Sequence, residues 1–179
     1  MRKSSFFSYS QTVIMLAMNK QKAYIALGAN LGNTKQTLTK ALELLDKAKG
    51  ITVINSADFI TTAPVGGPQS QPAYTNSAAE LEITITPHRL LYQLNKIEAE
   101  LGRNRQKEER FGPRTCDLDI LLIDDLILNS DDLVIPHPRM NERLFVLEPL
   151  AQIAPTAIDP KTNLSITELK SKLESKNDC

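Results

Sequence analysis

The stretch from Arg103 to Ile123 constrains this chain more than any other, because it sets an arginine-bearing loop directly against a carboxylate pair on an apolar run that reads as a strand. Asp117 and Asp119 alternate with Leu118 and Ile120, and at a side-chain period of two both carboxylates leave one face while the intervening residues face a core. Two hard oxygen donors then point the same way. Such a pair suits magnesium, which keeps several waters and takes substrate phosphates as further ligands, better than it suits an all-protein cage. Just upstream, Arg103, Arg105, Arg110 and Arg114 offer planar bidentate donors to phosphate oxygens, and Gly112-Pro113 predicts a turn that brings Arg114 back beside the acids. Taken alone, an Asp-x-Asp pair is common on exposed strand edges and an arginine-rich loop is usually a solvated connection, so the weight rests on the surrounding segments.

At 179 residues the chain has the length of one ordinary domain. Lysine plus arginine equal aspartate plus glutamate, so no global field recruits nucleic acid or a membrane surface, and the basic charge that matters is local. Two cysteines cannot define a disulfide scaffold: Cys116 shares the strand parity of Leu118 and Ile120 and is expected as a buried thiol, and Cys179 ends a polar tail. This fits a reducing cytoplasm. Two histidines without clustered Cys/His spacing argue against a zinc site.

Residues 1–21 differ from the rest. Arg2, Lys3, several serines and the apolar run Val13 to Met18 precede the first acidic residue, Glu43. The apolar run is far below the roughly 20 residues of a membrane span. The composition is compatible with an organellar transit peptide, yet basic residues are sparse and no good cleavage site follows, which favours a disordered extension or a start assigned upstream of Met15 or Met18. Residues 22–179 are expected to form a single domain.

From Lys22 the pattern becomes regular. Ala23 to Ala29 reads as a buried strand, and Asn33 with Gln36 three residues on marks a helix start, with Leu38, Ala41, Leu42, Leu45 and Ala48 as its stripe and Gly50 as its end. The turn Gly28 to Gly32 lacks the G-x-G-x-x-G spacing, which excludes a dinucleotide fold. Ile51 to Ile60 reads as a second strand, Glu80 to Ile85 as a third with one solvated face, and Thr61 to Pro72 between them as a long loop. Thr86-Pro87 opens a second helix that buries Leu90, Leu94, Ile97 and Leu101 and stops at Gly102. After the Asp-x-Asp strand come an extension through Leu128, the turn Ile135 to Arg139, a helix holding Arg143, Leu144, Phe145 and Leu147, and a last helix capped by Ser165 and Glu168. The order predicts an α+β, ferredoxin-like βαββαβ sandwich with extra C-terminal helices. That fold hosts many activities, so function must come from the site.

Ala23 to Gly32, Pro64 to Pro68 with Gln71, Pro72, Tyr74 and Asn76, Gly112 to Thr115 with Asp117 to Ile120, and Ile135 to Met140 together resemble the 6-hydroxymethyl-7,8-dihydropterin pyrophosphokinases of folate biosynthesis. The resemblance runs from about Ala23 to Pro160. It implies transfer of the terminal pyrophosphoryl group of ATP to the pterin hydroxymethyl oxygen with release of AMP, and two magnesium ions held by Asp117 and Asp119. By the same likeness Arg103 and Arg114 grip the moving group and Arg105 lies near ATP. Asn95, Glu98, Ile120, Val134, His137 and Arg143 would line the nucleotide. Tyr74 and Phe145 match the stacking pair for a flat pterin, Asn76 its edge-reading amide, and Thr62, Ala63 and Val65 its backbone contacts. Phe111 would cover the pterin where relatives commonly carry Trp. The loop 103–111 is one residue longer than the usual pattern, which leaves the role of Arg110 unassigned, and Gln106 and Asp132 stand where some members are basic. ATP and the pterin are the implied partners of a monomer, with neither nucleic acid nor membrane. A nucleotidyltransferase would also use Asp-x-Asp and magnesium but would leave AMP on its acceptor, and an RNA-binding module would need exposed aromatics and a basic face.

Overall fold

The computed structural model describes residues 19–68, 70–105 and 112–177. The expectations for residues 1–18, Gln106, Arg110, Phe111 and Cys179 lie outside the described residues. Among the described residues no helix is long and apolar enough to cross a membrane.

The centre of the molecule is an antiparallel sheet around β1 (Gln21–Ala29). One flank of β1 pairs with β4 (Tyr74–Ile83) from Gln21 opposite Ile83 to Ala29 opposite Thr75, and the other pairs with β5 (Asp117–Ile123). β2 (Ile51–Ser56) and β3 (Ile60–Thr62) both lie on the far edge of β4. The single strand expected over 51–60 is therefore two. The chain leaves the ladder at Ala57 to Phe59, where the Ala57 carbonyl accepts the Ser77 hydroxyl at 2.8 Å and the Asp58 N–H turns to the Gln152 side chain at 3.0 Å. The third strand also starts earlier than its alternation suggested. Thr75 to Ala79 are buried on both faces, which erases the period-two signal there, and Glu80 and Glu82 restore it by pairing with Lys22 and Lys20.

Helices α1 (Thr34–Asp46) and α2 (Pro87–Glu100) cover one face of the sheet with Leu38, Ala41, Leu45, Leu90, Leu94 and Ile97 against Ile25, Leu27, Leu81, Leu118 and Ile120. Their starts obey local chemistry: the Asn33 side chain accepts the Gln36 N–H at 3.3 Å, and Thr86 accepts that of Arg89 before Pro87. The opposite face is covered by α3 (Leu144–Ile153) and α4 (Ile166–Asn177), whose Val146, Leu147, Leu150, Ile166 and Leu169 meet Tyr24, Ala78, Leu121 and Leu122. Consecutive Leu121 and Leu122 can both join this second layer because the register between β1 and β5 shifts at Tyr24/Ile25. The capping box at Ser165 and Glu168 is present, with Glu168 accepting the Ser165 N–H at 2.8 Å and Ser165 accepting that of Glu168 at 3.2 Å. Arg143 precedes α3 in an extended conformation rather than lying inside it. Short pairs β6 (Leu128–Asn129) with β7 (Val134–Ile135), and β8 (Ile158–Asp159) with β9 (Leu164–Ser165), fasten the connections.

Candidate active site

Gly28 sits opposite Asn76 on β4 and opposite Asp117 on β5. That one register brings an amide-bearing strand and an acid-bearing strand to the two sides of a glycine. A Cβ at Gly28 would approach Asn76 Oδ1 at 3.2 Å, so the missing side chain is what permits the approach. Around it lies a cavity of about 340 Å³.

The two sides of the cavity differ in chemistry. One is charged: Asp117, Asp119, Arg103, Arg105, Arg114, His137 and Arg143 all line it. Asp117 is held through one oxygen by Arg103 at 2.5 Å and through the other by Arg114 at 2.7 Å. Burial pushes the Asp117 carboxyl upward, and the Arg114 and Arg103 guanidinium groups more than reverse this, so it stays below the ordinary carboxylate range. Asp119 behaves oppositely. Burial, and then the neighbouring Asp117 charge, raise its carboxyl to about 6. A second cation beside this pair would relieve that cost. Among the described residues no third His, Cys, Asp or Glu joins the two aspartates in a metal-binding group. Asp117 and Asp119, on one face of β5 and both lining the cavity, fit magnesium, an ion that takes hard oxygen donors and keeps water and phosphate as further ligands.

Glu98 has a role that its position on a helix did not reveal. It is fully buried, accepts from Arg103 at 2.7 Å and from Arg105, and takes the Leu118 backbone N–H at 2.8 Å. One carboxylate thus fixes two arginines and the start of β5 together. It does not line the cavity, nor do Asn95, Ile120 and Val134. Asn95 is exposed and accepts from Arg105 at 3.0 Å, while Ile120 points into the core because its parity is opposite to that of Asp119. His137 is neutral: burial, then the charges of Arg143 and Arg139, push its imidazole down to about 4. Its Nδ1 accepts the Arg139 N–H at 3.1 Å, so the ring proton sits on Nε2 as a donor.

The other side is uncharged. Thr62, Ala63, Val65, Tyr74, Asn76 and Phe145 line it. Asn76 is buried and donates to the Thr62 hydroxyl at 2.8 Å, and the Tyr74 hydroxyl donates to the Gly112 carbonyl at 3.0 Å, across to the segment that carries Arg114. Val65 is 73% exposed, and the Arg143 guanidinium lies 5.5 Å from the Phe145 ring centre. Gly28, Gly66, Gln71 and Arg139 also line the cavity without having been assigned to it. Arg139 follows His137 by two residues within the Ile135 to Met140 motif, which was the available signal.

Comparison with known proteins decides the family. The family described as 7,8-dihydro-6-hydroxymethylpterin-pyrophosphokinase (HPPK) matches residues 24–155. This chain belongs to the HPPK family. It is 46% identical over 131 residues to the 2-amino-4-hydroxy-6-hydroxymethyldihydropteridine pyrophosphokinase of Bacillus subtilis, covering 73% of this chain and 77% of the relative. The Haemophilus influenzae protein of the same name is 41% identical over 147 residues, covering 82% of this chain and 89% of the relative. A Pisum sativum relative named folate synthesis bifunctional protein, mitochondrial, is 38% identical over 89% of this chain, which spans 30% of it. Among solved structures, wild-type Plasmodium falciparum HPPK-DHPS superposes with a TM-score of 0.67 at 14% identity, over 88% of this chain and 45% of the other, a likeness of fold. This HPPK chain spans less than half of that two-part protein, and all of the cavity-lining residues from Gly28 to Phe145 fall inside the matched segment.

Proposed function

We propose that this chain transfers the pyrophosphoryl group of ATP to the hydroxymethyl oxygen of 6-hydroxymethyl-7,8-dihydropterin, giving the pterin diphosphate and AMP, as a step of folate biosynthesis. One observation carries the reading: a single cavity joins an aspartate–arginine cluster to an uncharged wall of aromatic rings and an amide, in a member of the HPPK family. The pterin oxygen forms a bond to the β-phosphorus, the bond from that phosphorus to the α–β bridging oxygen breaks, AMP leaves with the bridging oxygen, and the hydroxyl proton passes to solvent.

In this reading Arg103 and Arg114 grip the transferring group, and Glu98 holds Arg103 and Arg105 in place before ATP arrives, so little reorganisation is needed as charge develops. Asp117 and Asp119 would hold two magnesium ions. Bound there, they supply positive charge against the phosphates and favour attack by the hydroxyl. His137 donates from Nε2 as a neutral ring, and Arg105, Arg139 and Arg143 bind phosphate or ribose oxygens. Tyr74 and Phe145 stack the pterin while Asn76 reads its edge and Thr62, Ala63 and Val65 add backbone contacts. The strand order β2-β4-β1-β5, all antiparallel with both crossover helices on one face, supports a ferredoxin-like classification. We further propose that the protein works as a monomer in the cytoplasm; the free, buried Cys116 is compatible with a reducing compartment.

Product analysis tests the reading. ATP, magnesium and the pterin should give AMP and a pterin carrying two phosphates. Release of inorganic pyrophosphate with an adenylylated pterin would replace it by nucleotidyl transfer.

A further inference from the structure

Asn30 is a buried amide next to the cavity that the proposed chemistry does not use. It is 3% exposed. Its backbone N–H donates to the Arg114 carbonyl at 3.0 Å, and its side-chain Oδ1 accepts the Arg114 N–H at 2.7 Å. Arg114 is thereby gripped on both polar groups of its backbone by one residue. The other end of the same amide turns to the pterin side: Nδ2 donates to the Pro72 carbonyl at 3.1 Å and to Gln71 Oε1 at 3.3 Å. Gln71 in turn donates through Nε2 to the Gly66 carbonyl at 2.9 Å, next to Val65.

The location explains the need for an amide. β1 pairs with β4 as far as Ala29 opposite Thr75, and with β5 as far as Gly28 opposite Asp117. Beyond these points neither ladder continues, and the Arg114 N–H and the Pro72 carbonyl are taken by the two ends of the Asn30 side chain. A side chain carrying both a donor and an acceptor bridges the two strand entries, satisfying an N–H on one and a carbonyl on the other. A hydroxyl carries its donor and acceptor on a single atom, and a hydrophobic side chain has neither.

We propose that Asn30 is a positioning residue that couples the pterin-side loop to Arg114, so that seating the pterin and aiming the phosphate-gripping guanidinium are one event. The proposal rests on the transfer reading above. With its backbone fixed at both polar groups, Arg114 has a defined origin from which its guanidinium reaches Asp117 Oδ2 at 2.7 Å. Displacement of about 1 Å at such a group costs on the order of 10²-fold in rate.

The test compares Asn30→Ala, Asn30→Asp, Arg114→Ala and the Asn30→Ala/Arg114→Ala pair in the full chain. Single-turnover transfer is read by rapid quench. Pterin affinity is read with and without a non-hydrolysable ATP analogue and magnesium. Asn30→Ala should slow transfer about 10²-fold, and the double variant should be no slower than Arg114→Ala, since the effect acts through that arginine. The analogue should tighten pterin binding in the wild type by roughly tenfold, a typical coupling between sites, and that factor should fall to about one in Asn30→Ala. Asn30→Asp keeps the acceptor for the Arg114 N–H and loses the donors to Pro72 and Gln71, so its transfer rate should stay near wild type while pterin affinity drops. Should Asn30→Ala not fold, Gln71→Ala breaks the same relay from its half-buried end away from Arg114, with weakened pterin binding and lost coupling expected. Multiplying losses in the double variant, identical behaviour of the Ala and Asp variants, or intact coupling in Asn30→Ala or Gln71→Ala would each overturn the proposal. A wild-type chain that couples the two ligands but forms no pterin diphosphate would sink the transfer reading and leave the role of Asn30 in coupling standing.

Discussion

The two sides of the cavity are held by different physics. On the charged side Arg103, Arg105, Arg114, Asp117 and Glu98 are linked by ion pairs, with Glu98 buried at the root of two arginines. On the uncharged side Asn76 donates to Thr62 between β4 and β3, and Tyr74 donates to the Gly112 carbonyl, both neutral hydrogen bonds. Charge-assisted bonds in a low-dielectric cavity are strong and costly to leave single, whereas neutral bonds on a sheet fix shape at small electrostatic cost. Changes on the charged side should therefore alter the rate of transfer, and changes on the neutral side should alter which flat ligand is held and how tightly.

The largest expected effect breaks the charged side. Asp117→Ala and Asp119→Ala should each lower AMP release by on the order of 10³-fold or more, beyond the loss of a single donor to developing charge. Near-normal turnover of either variant at ordinary magnesium would remove the aspartates from the metal site. Next comes the neutral side. Asn76→Ala should weaken pterin binding by about 1–3 kcal/mol, the cost of leaving a ligand edge unpaired, with ATP affinity unchanged in a calorimetric titration. Gly28→Ala sharpens the contrast, because its Cβ would meet Asn76 at 3.2 Å while lying 3.9 Å from the Asp117 Cβ. Pterin affinity should drop and nucleotide affinity should hold. Equal damage to both would mean that the two sides are not separable at this glycine.

After these comes a stability effect with a defined pH window. The Asp119 carboxyl is raised from an ordinary 3.8 to about 6 in the fold. The folded chain therefore binds a proton more tightly than the unfolded chain, and stability falls as pH rises from about 4 through about 6 in the absence of magnesium. Asp119→Asn should match wild type below that window and exceed it above by on the order of 3 kcal/mol, measured by denaturant titration across pH. An advantage that grows towards acid pH would contradict the assignment. The smallest readout is Cys116, whose thiol is pushed up to about 12 by burial and then by Glu98 and Asp117. Alkylating reagents should leave it unmodified in the folded chain at neutral pH, as mass spectrometry would register.

Much of this was written in short-range pattern. The Asn33–Gln36 and Ser165–Glu168 caps, the Thr86-Pro87 start and the parity of Asp117 and Asp119 depend on residues a few positions apart, and each appears as the sequence implied. The motifs around Pro64 to Asn76, Gly112 to Ile120 and Ile135 to Met140 likewise named most of the residues that line the cavity. The break of the 51–60 strand was not legible, because it depends on Ser77 and Gln152, which reach Ala57 and Asp58 from distant parts of the chain. Nor was Glu98 as an anchor, since a glutamate on a helix acquires that role only when Arg103, Arg105 and the Leu118 N–H converge on it. What the sequence by itself determined was the kind of chemistry and its family, because donor types, spacing and caps are local. Tertiary structure alone decided that Asp117 is paired while Asp119 is proton-hungry, that His137 is neutral, and that Asn30 spans two strand entries, because charge, burial and hydrogen-bond partners are set by groups far apart in the chain and close in space.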